Sequence, residues 1–330
     1  MSAHPKRLGI RFEGFEGLAE ARAIASEAEG AGASSIWMTQ HLGGRDAITL
    51  ATIIASGTST IRVVPSNLSP FISHPTTTAM MLATLAEFAP GRVAASIGIG
   101  NQLDLGQSGV VPEAPEDAVC DFLAALEKLF ERQPVRLTGR TFQLDGAGLK
   151  GKPGTPVPLY VTALGPGIAR RAAATSAGVQ LSAGFSPEFA ASCIAAFDAG
   201  AAETGADVAK RPRAGFAYFG TSEPASLEAV RRKLAYLFRN RLMAENIRMS
   251  GLAIDQPAII DCIARHDLDS ATRLVPDAAV EAFAVTGERD RCIATVRRFF
   301  DAGVDELLIN VGDSAAERRA AFDLIAAVNR

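Results

Sequence analysis

The chain is short of the residues that usually announce a fold or a chemistry. It has four cysteines in 330 residues, Cys120, Cys193, Cys262 and Cys292, widely scattered and without a CxxC or a metal-like pairing. This excludes a disulfide framework and reads as buried free thiols in a reducing compartment. Charge of one sign is also missing: Lys+Arg 33 stand against Asp+Glu 36, with no run of five or six like charges. A basic face for nucleic acid or anionic membrane is therefore excluded. MSAHPKRLGIRF lacks the apolar core of a signal peptide, and no apolar stretch approaches the length of a membrane span. The expected location is cytoplasmic and the expected partner a small molecule. There is no P-loop, HExxH, Ser-His-Asp elbow or metal-type carboxylate cluster. Without a protein nucleophile or a metal set, a bound cofactor is expected to carry the chemistry.

What is present is a long alternation of short apolar runs and amphipathic segments, at 48% hydrophobic residues. The strand-like runs are 8–12, 34–38, 61–65, 92–100, 159–163, 178–183, 213–220 and 305–311. Helical patterns occupy 18–32, 47–57, 74–91, 116–132, a stretch from Pro166, 187–205, 288–303 and 314–329. Two segments break the rhythm. Residues 134–156 hold Val135–Thr138 and Thr141–Leu144 around Gly139-Arg140, a hairpin excursion after the fourth helix. Residues 222–283 contain helical stretches and no clear strand, a helical insertion after the seventh strand. Eight strand–helix units with strands apolar on both faces predict one (β/α)8 TIM barrel over 1–330. A doubly wound sheet is the competing architecture, but LGIRFEGFEG lacks the glycine fingerprint such a sheet usually carries after its first strand.

In a barrel, function sits at the C-terminal ends of the strands. The most informative stretch is LYVTALGPGIARRAAA, where a strand runs through Ala163 and Leu164 into Gly165-Pro166-Gly167 and a helix start. Glycines allow close approach, proline suits the first helical position, and the exposed N–H groups favour an anion. The turn reads either as a phosphate cradle or as an ordinary strand–helix connection. Strand 2 ends in Gln40-His41, and a strand-end histidine is a candidate acid/base or cofactor partner. Strand 1 ends in Arg11-Phe12-Glu13, strand 3 in Ser66-Asn67, and strand 4 in Gly98-Ile99-Gly100-Asn101. Val285-Thr286-Gly287 is a further candidate contact.

Five blocks, SIWMTQH, PSNLSPFISHP, PGRVAASIGIGN, PLYVTALGPGIARRAA and VTGERDRCIATVRRFFDAGVDELLI, resemble in order and spacing the bacterial luciferase-like superfamily of FMN-dependent monooxygenases and coenzyme F420-dependent oxidoreductases. The chain looks most similar to the methylenetetrahydromethanopterin reductase branch. The resemblance implies a barrel, usually dimeric, holding a flavin or deazaflavin at its C-terminal face. It implies a non-proline cis bond at Ser66-Asn67 behind the ring, and ring and side-chain contacts from Gln40, Gly98, Gly100 and Asn101. It further implies a phosphate segment from Ala163 to Gly167, with His41 on the reactive face. Two departures stand out. Many F420 enzymes carry Asp-His where this chain has Gln40-His41, and the pterin reductases carry a proton-donating glutamate where Arg11 aligns, with Glu13 nearby. They tip the expectation to monooxygenation of a small organic substrate with reduced FMN, with a separate flavin reductase as a further expected partner. F420-dependent hydride transfer is the first alternative, and a non-catalytic flavin-binding protein the second.

Overall fold

Strands apolar on both faces need cover on both, and this chain supplies it with an outer ring of helices and an inner core. The structure is a computed structural model that describes residues 4–150, 154–175, 177–205, 207 and 210–329. In chain order the first part runs β1 (Arg7–Phe12), α1 (Leu18–Ala31), β2 (Ser35–Thr39), α2 (Ala47–Ser56), β3 (Arg62–Ser66), α3 (Pro75–Phe88), β4 (Ala95–Ile97), α4 (Gln102–Gln107) and α5 (Pro115–Phe130). A hairpin of β5 (Val135–Thr138) and β6 (Gln143–Ala147) follows, then β7 (Leu159–Ala163), α6 (Pro166–Ala172), β8 (Gly178–Leu181), α7 (Pro187–Thr204) and β9 (Arg213–Gly220). Next come α8 (Pro224–Phe238), a 3-10 turn (Arg241–Met243), α9 (Ala244–Ser250), α10 (Gln256–Ala264), α11 (Leu268–Arg273) and α12 (Asp277–Phe283). The chain ends with β10 (Ala284–Thr286), α13 (Arg289–Asp301), β11 (Glu306–Ile309) and α14 (Ala315–Asn329).

Eight parallel strands pair in the order β3-β2-β1-β11-β9-β8-β7-β4. The sheet closes through bridges Val63–Val93 and Leu68–Ile97, which join β3 to β4. This is the predicted (β/α)8 barrel. The hairpin lies where it was expected, although its second strand starts at Gln143 rather than Thr141, and residues 151–153 of the 134–156 excursion lie outside the described residues. The helical insertion is α8 to α12. Two elements were not foreseen. Ala284–Thr286 is a short strand that pairs with Tyr218–Gly220, the half of β9 beyond its pairing with β11. The other is the six-residue helix α4, between the strand-like run 92–100 and the helical pattern 116–132. Both are too short to show a helical or alternating period.

Alternation along the strands sorts side chains to two cores. Leu8, Ile10, Phe12, Ile36, Met38, Val179 and Leu181 face the helices. Trp37, Val64, Ala94, Tyr160, Ala214, Phe216 and Leu308 fill the barrel interior. Below them the interior is polar. Glu306 accepts hydrogen bonds from Ser34 Oγ, from Ser35 Oγ at 2.8 Å and from Arg62 Nη2 at 2.6 Å. Trp37 Nε1 donates to Ser35 Oγ at 2.8 Å, and Tyr160 meets Trp37 edge-on at 5.0 Å. Burial pushes the Tyr160 hydroxyl up to about 12, so it stays neutral.

The closing seam carries one residue too many. Between its two bridges β3 advances from 63 to 68, five steps, while β4 advances from 93 to 97, four steps. The extra residue is absorbed as a bulge. Leu68 N donates to Ser96 O at 2.9 Å and Gly98 N to Leu68 O at 3.0 Å, while Asn67 turns into the left-handed region at φ 61. Asparagine tolerates that region better than most residues. The expected cis bond at Ser66-Asn67 is not there: no cis peptide occurs among the described residues, and the bulge is made by Asn67's dihedral instead. Its side chain lies over Gly98, where an added Cβ would collide with Asn67 Oδ1 and lie 2.9 Å from Thr162 Cβ.

A double-mutant cycle tests this fit. Gly98→Ala is expected to destabilise the fold by about 1–3 kcal/mol through overpacking. Asn67→Gly keeps the left-handed residue and removes the clashing side chain, so it should recover part of that loss in the Gly98→Ala background. Additive chemical-denaturation midpoints would show that the two residues do not interact.

Candidate functional site

The C-terminal ends of β1, β2 and β9 bring a charged and aromatic group together at the barrel mouth. On β1, Leu8, Ile10 and Phe12 point outward, so Arg11 points in. Arg11 Nε donates to Thr39 Oγ1 at 2.6 Å, and the guanidinium lies 4.2 Å from the centre of the Phe216 ring. Burial lowers its proton affinity, against the pull of Glu13, Tyr218 and Glu16. No carboxylate pairs with it among the described residues. Glu16 instead accepts from the backbone N–H groups of Glu13 (2.8 Å) and Gly14 (2.9 Å), fixing the loop after β1.

His41 stands beside this group. Its ring stacks on Phe15 at 5.6 Å and 16°, and its Nδ1 lies 3.6 Å from Asp104 Oδ2. That distance is an electrostatic contact, longer than a hydrogen bond. Burial lowers the imidazole's proton affinity and the positive charge of Arg11 lowers it further, while Asp104 and Glu13 pull it up. The net direction is down, so His41 is neutral at pH 7 and able to accept a proton. Tyr218 lies half-buried one alternation beyond Phe216, edge-on to it at 5.2 Å. Burial and Glu13 raise its phenol, which stays protonated and can donate.

The other predicted residues fall on three sides. Gln40 does not reach toward His41: its Oε1 accepts from Ala47 N at 2.8 Å and so caps α2. Ser66 O accepts from Gln40 N at 2.8 Å, which ties the end of β2 to the bulge. Gly98 and Asn67 form the seam. Gly100 has φ 94, and Asn101 Oδ1 caps α4 by accepting from Leu103 N at 3.1 Å. That cap starts the short helix carrying Asp104. At the third side, Gly165 caps α6 and Pro166 opens it. Ala163 is buried, and Leu164 and Gly165 are half-buried beside it. Arg170 and Arg171 turn away from the glycine turn, to Glu203 on α7 and to Glu116 and Asp117 on α5. Thr286 and Gly287 line a cleft of about 530 Å³ under α8 and α12. Its arginines are matched there, Arg231 by Asp277 and Arg291 by Glu281.

Thr39 and Tyr218, at the ends of strands 2 and 7, complete the mouth with three residues not singled out from sequence: Asp104, Gln180 and Phe216. Asp104 had a signal, an acid three residues after a capping asparagine. Gln180 had none. Val179 and Leu181 face the helices, so Gln180 faces the interior, level with Thr162. It is 2% exposed; its Nε2 donates to Leu181 O at 2.5 Å and its Oε1 has no partner. An orphaned buried acceptor is costly in isolation, and it fits a ligand that brings an N–H or O–H. Together with the Asn67 bulge and the Gly165 turn, this donor and acceptor set fits a flat heterocyclic cofactor with a phosphate-bearing tail. Metal chemistry has no such set: among the described residues no three His, Cys, Asp or Glu side chains cluster for an ion. The thiols are equally quiet, with burial pushing Cys120 and Cys292 up to about 11. No described helix is long and apolar enough to cross a membrane.

Comparison with known proteins shows the family of the chain. The family model of luciferase-like monooxygenases matches residues 3–306, and the chain belongs to that family. It is 25% identical over 308 residues to the 5,10-methylenetetrahydromethanopterin reductase of Archaeoglobus fulgidus, covering 92% of each chain. It superposes with TM-score 0.87 on the coenzyme F420-dependent tetrahydromethanopterin reductase of Methanopyrus kandleri, at 21% identity and 98% coverage of both. With TM-score 0.74 it also superposes on the oxygenating constituent of 3,6-diketocamphane monooxygenase from Pseudomonas putida in complex with FMN, at 16% identity, covering 99% of this chain and 97% of that one. The chain is an oxidoreductase of a family whose members use F420 or FMN.

The histidine's electrostatics give a signed prediction. NMR titration should place the His41 pKa below the ordinary 6.5. Asp104→Asn removes an upward pull and should lower it further, whereas Arg11→Met removes a downward one and should raise it. An unchanged pKa in both variants would mean that neither group acts on the imidazole.

Proposed function

We propose that this luciferase-family oxidoreductase is an F420-dependent hydride-transfer enzyme acting on a small organic substrate at the mouth of its barrel. The observation that carries the reading is the His41–Asp104 pair at 3.6 Å. Gln40 takes away the adjacent acid of an Asp-His sequence and caps α2 with its own side chain. A carboxylate nonetheless reaches the imidazole, brought by α4. The Archaeoglobus relative, matched over 92% of both chains, is named as a reductase, which agrees.

When bound, the deazaflavin supplies or accepts the hydride. The protein's part is binding, orientation and proton handling. The Asn67 bulge and Gly98 would back the ring, Gln180 Oε1 would accept from its polar edge, and the turn at Gly165 to Gly167 would face its phosphate with free N–H groups. His41, neutral and buried on one side by Phe15, holds or takes the proton that accompanies substrate reduction or oxidation. Asp104 stabilises the imidazolium that results. Tyr218 offers a neutral hydroxyl to the substrate oxygen. α8 crosses the mouth with Leu237 against the interior cluster, which limits water access. The homodimer of the family suits α3, which leaves Met80 and Phe88 exposed.

Oxygenation with reduced FMN, fed by a separate flavin reductase, is the second reading. It is favoured by Arg11, a cation where the pterin reductases are expected to hold a proton-donating glutamate.

Titration of the purified protein with F420 and with FMN, read by absorbance and fluorescence, separates the two. The expected result is tight F420 binding, with FMN at least about tenfold weaker, a difference near 1.4 kcal/mol. His41→Ala should retain F420 and lose about 10²–10⁴-fold in turnover. FMN binding with dioxygen uptake and no F420 binding would overturn the proposal in favour of the monooxygenase.

A further inference from the structure

On α8 two neighbouring arginines show a pattern of pairing with carboxylates: Arg231 meets Asp277 and Arg232 meets Asp269. The barrel mouth departs from it. Arg11, Lys233 and Arg239 have no carboxylate within 4.0 Å among the described residues, yet all three gather around Tyr218. Arg11 lies on Phe216, which meets Tyr218 edge-on at 5.2 Å. Lys233 Nζ is 5.8 Å from the centre of the Tyr218 ring. Arg239 lies over Tyr236 at 3.6 Å, donates to Tyr236 O at 2.6 Å and acts electrostatically on the Tyr218 phenol together with Arg11. The nearest opposing charges are accounted for. Glu16 is bound by two backbone N–H groups, Asp104 faces His41, and Glu13 acts on Arg11 only from beyond ion-pair distance.

Arg11 is the best placed of the three. Thr39 holds Nε and Phe216 holds the face, so the guanidinium is fixed and its two terminal nitrogens, with four N–H donors, have no partner among the described residues. A guanidinium cannot shed its charge when buried. A rigid, half-desolvated cation of this kind costs stability until an anion arrives, and its planar edge matches an oxyanion.

We propose that Arg11, seconded by Lys233 and Arg239, is a subsite for the oxyanion of the substrate, a carboxylate or a phosphate ester. Phe216 backs the guanidinium and the Tyr218 hydroxyl serves as an additional neutral donor. The inference rests on the reading of the mouth as the place where substrate meets the deazaflavin, and it narrows the substrate class to small organic anions.

The test uses the chain's single tryptophan, Trp37, the register neighbour of Arg11 on β2. Benzoate, phenyl phosphate and neutral benzamide are titrated into the protein, read by Trp37 fluorescence and by calorimetry, first without and then with F420. Either anion should bind at least about tenfold more tightly than benzamide, and Arg11→Met should remove that preference, the loss expected of a charge-assisted bidentate contact. The ratio of the two anions tells carboxylate from phosphate. Arg232→Met, next to Lys233 on α8 but paired with Asp269, should change nothing. Should Arg11→Met not fold, Lys233→Met with Arg239→Met carries the test by a weakened, salt-sensitive anion affinity. Equal binding of benzoate and benzamide, no anion binding, or an unchanged affinity in the variants overturns the subsite. Exclusion of the anions by saturating F420 also overturns it, since the cations would then belong to the cofactor. Failure of F420 to bind strikes the cofactor reading alone, because the first titrations are made without it.

Discussion

The barrel can close only if the seam between β3 and β4 absorbs one surplus residue. Every other pair of neighbouring barrel strands has a regular parallel ladder. Here two isolated bridges span five steps on one side and four on the other. The surplus could be accommodated at any point along the seam, but only near Asn67 is there a residue that takes the left-handed conformation cheaply, opposite a glycine that leaves room for its side chain. Size and conformation thus fix the bulge at the C-terminal end of the strands. It deflects the chain after β3, draws Gln40 N onto Ser66 O and so sets where β2 delivers His41. A closure problem of the sheet becomes the wall of the site.

The interior then divides by how well its polar groups are satisfied. At the closed end Glu306 receives Ser34, Ser35 and Arg62, and Ser35 in turn receives Trp37. That network leaves no charge unmatched and serves stability. At the open end Arg11 has one partner for five donors, Gln180 has an acceptor with none, and Tyr218 has no acceptor for its hydroxyl among the described residues. Unpaired polar groups in a confined space are costly unless something else fills the place, and local violations of good packing concentrate where a protein works.

Much of this was legible in the sequence because it depends on period and punctuation. Strands buried on both faces read as apolar runs, and β7 and β9 have the limits their apolar runs indicate. The insertion and the hairpin stood out because they broke the rhythm. The Gly98 and Asn67 segments could be found by resemblance, but not the relation between them: that one fills the other's missing Cβ is a contact across a seam. Likewise the carboxylate facing His41 was sought in the adjacent residue, Gln40. It came from Asp104, more than sixty residues away in sequence, on a helix too short to have a period. Gln180 and Phe216 read as ordinary strand residues. Only the direction of each strand's alternation relative to the closed sheet puts them inside, and closure is a property of all eight strands together.

His41 and Arg11 are not independent parts of the mouth. The positive charge of Arg11 is one of the two influences that hold the imidazole's proton affinity down. An anion seated on Arg11 would cancel much of that field, because in a partly desolvated site charges are felt strongly. Binding an anion would then make His41 a better base, and a protonated His41 would make Arg11 a better anion site, since linkage is reciprocal. A neutral molecule of the same shape would leave the histidine as it is. The unmatched arginine thus offers a selection that acts on chemistry as well as on binding: the substrate class that compensates Arg11 is also the one that raises His41 toward the working pH of a general acid–base. A glutamate at position 11 would reverse the sign, raising the histidine at rest and repelling the anion. The substitution of one charge at the end of β1 therefore changes both what the barrel mouth receives and when its histidine takes up a proton.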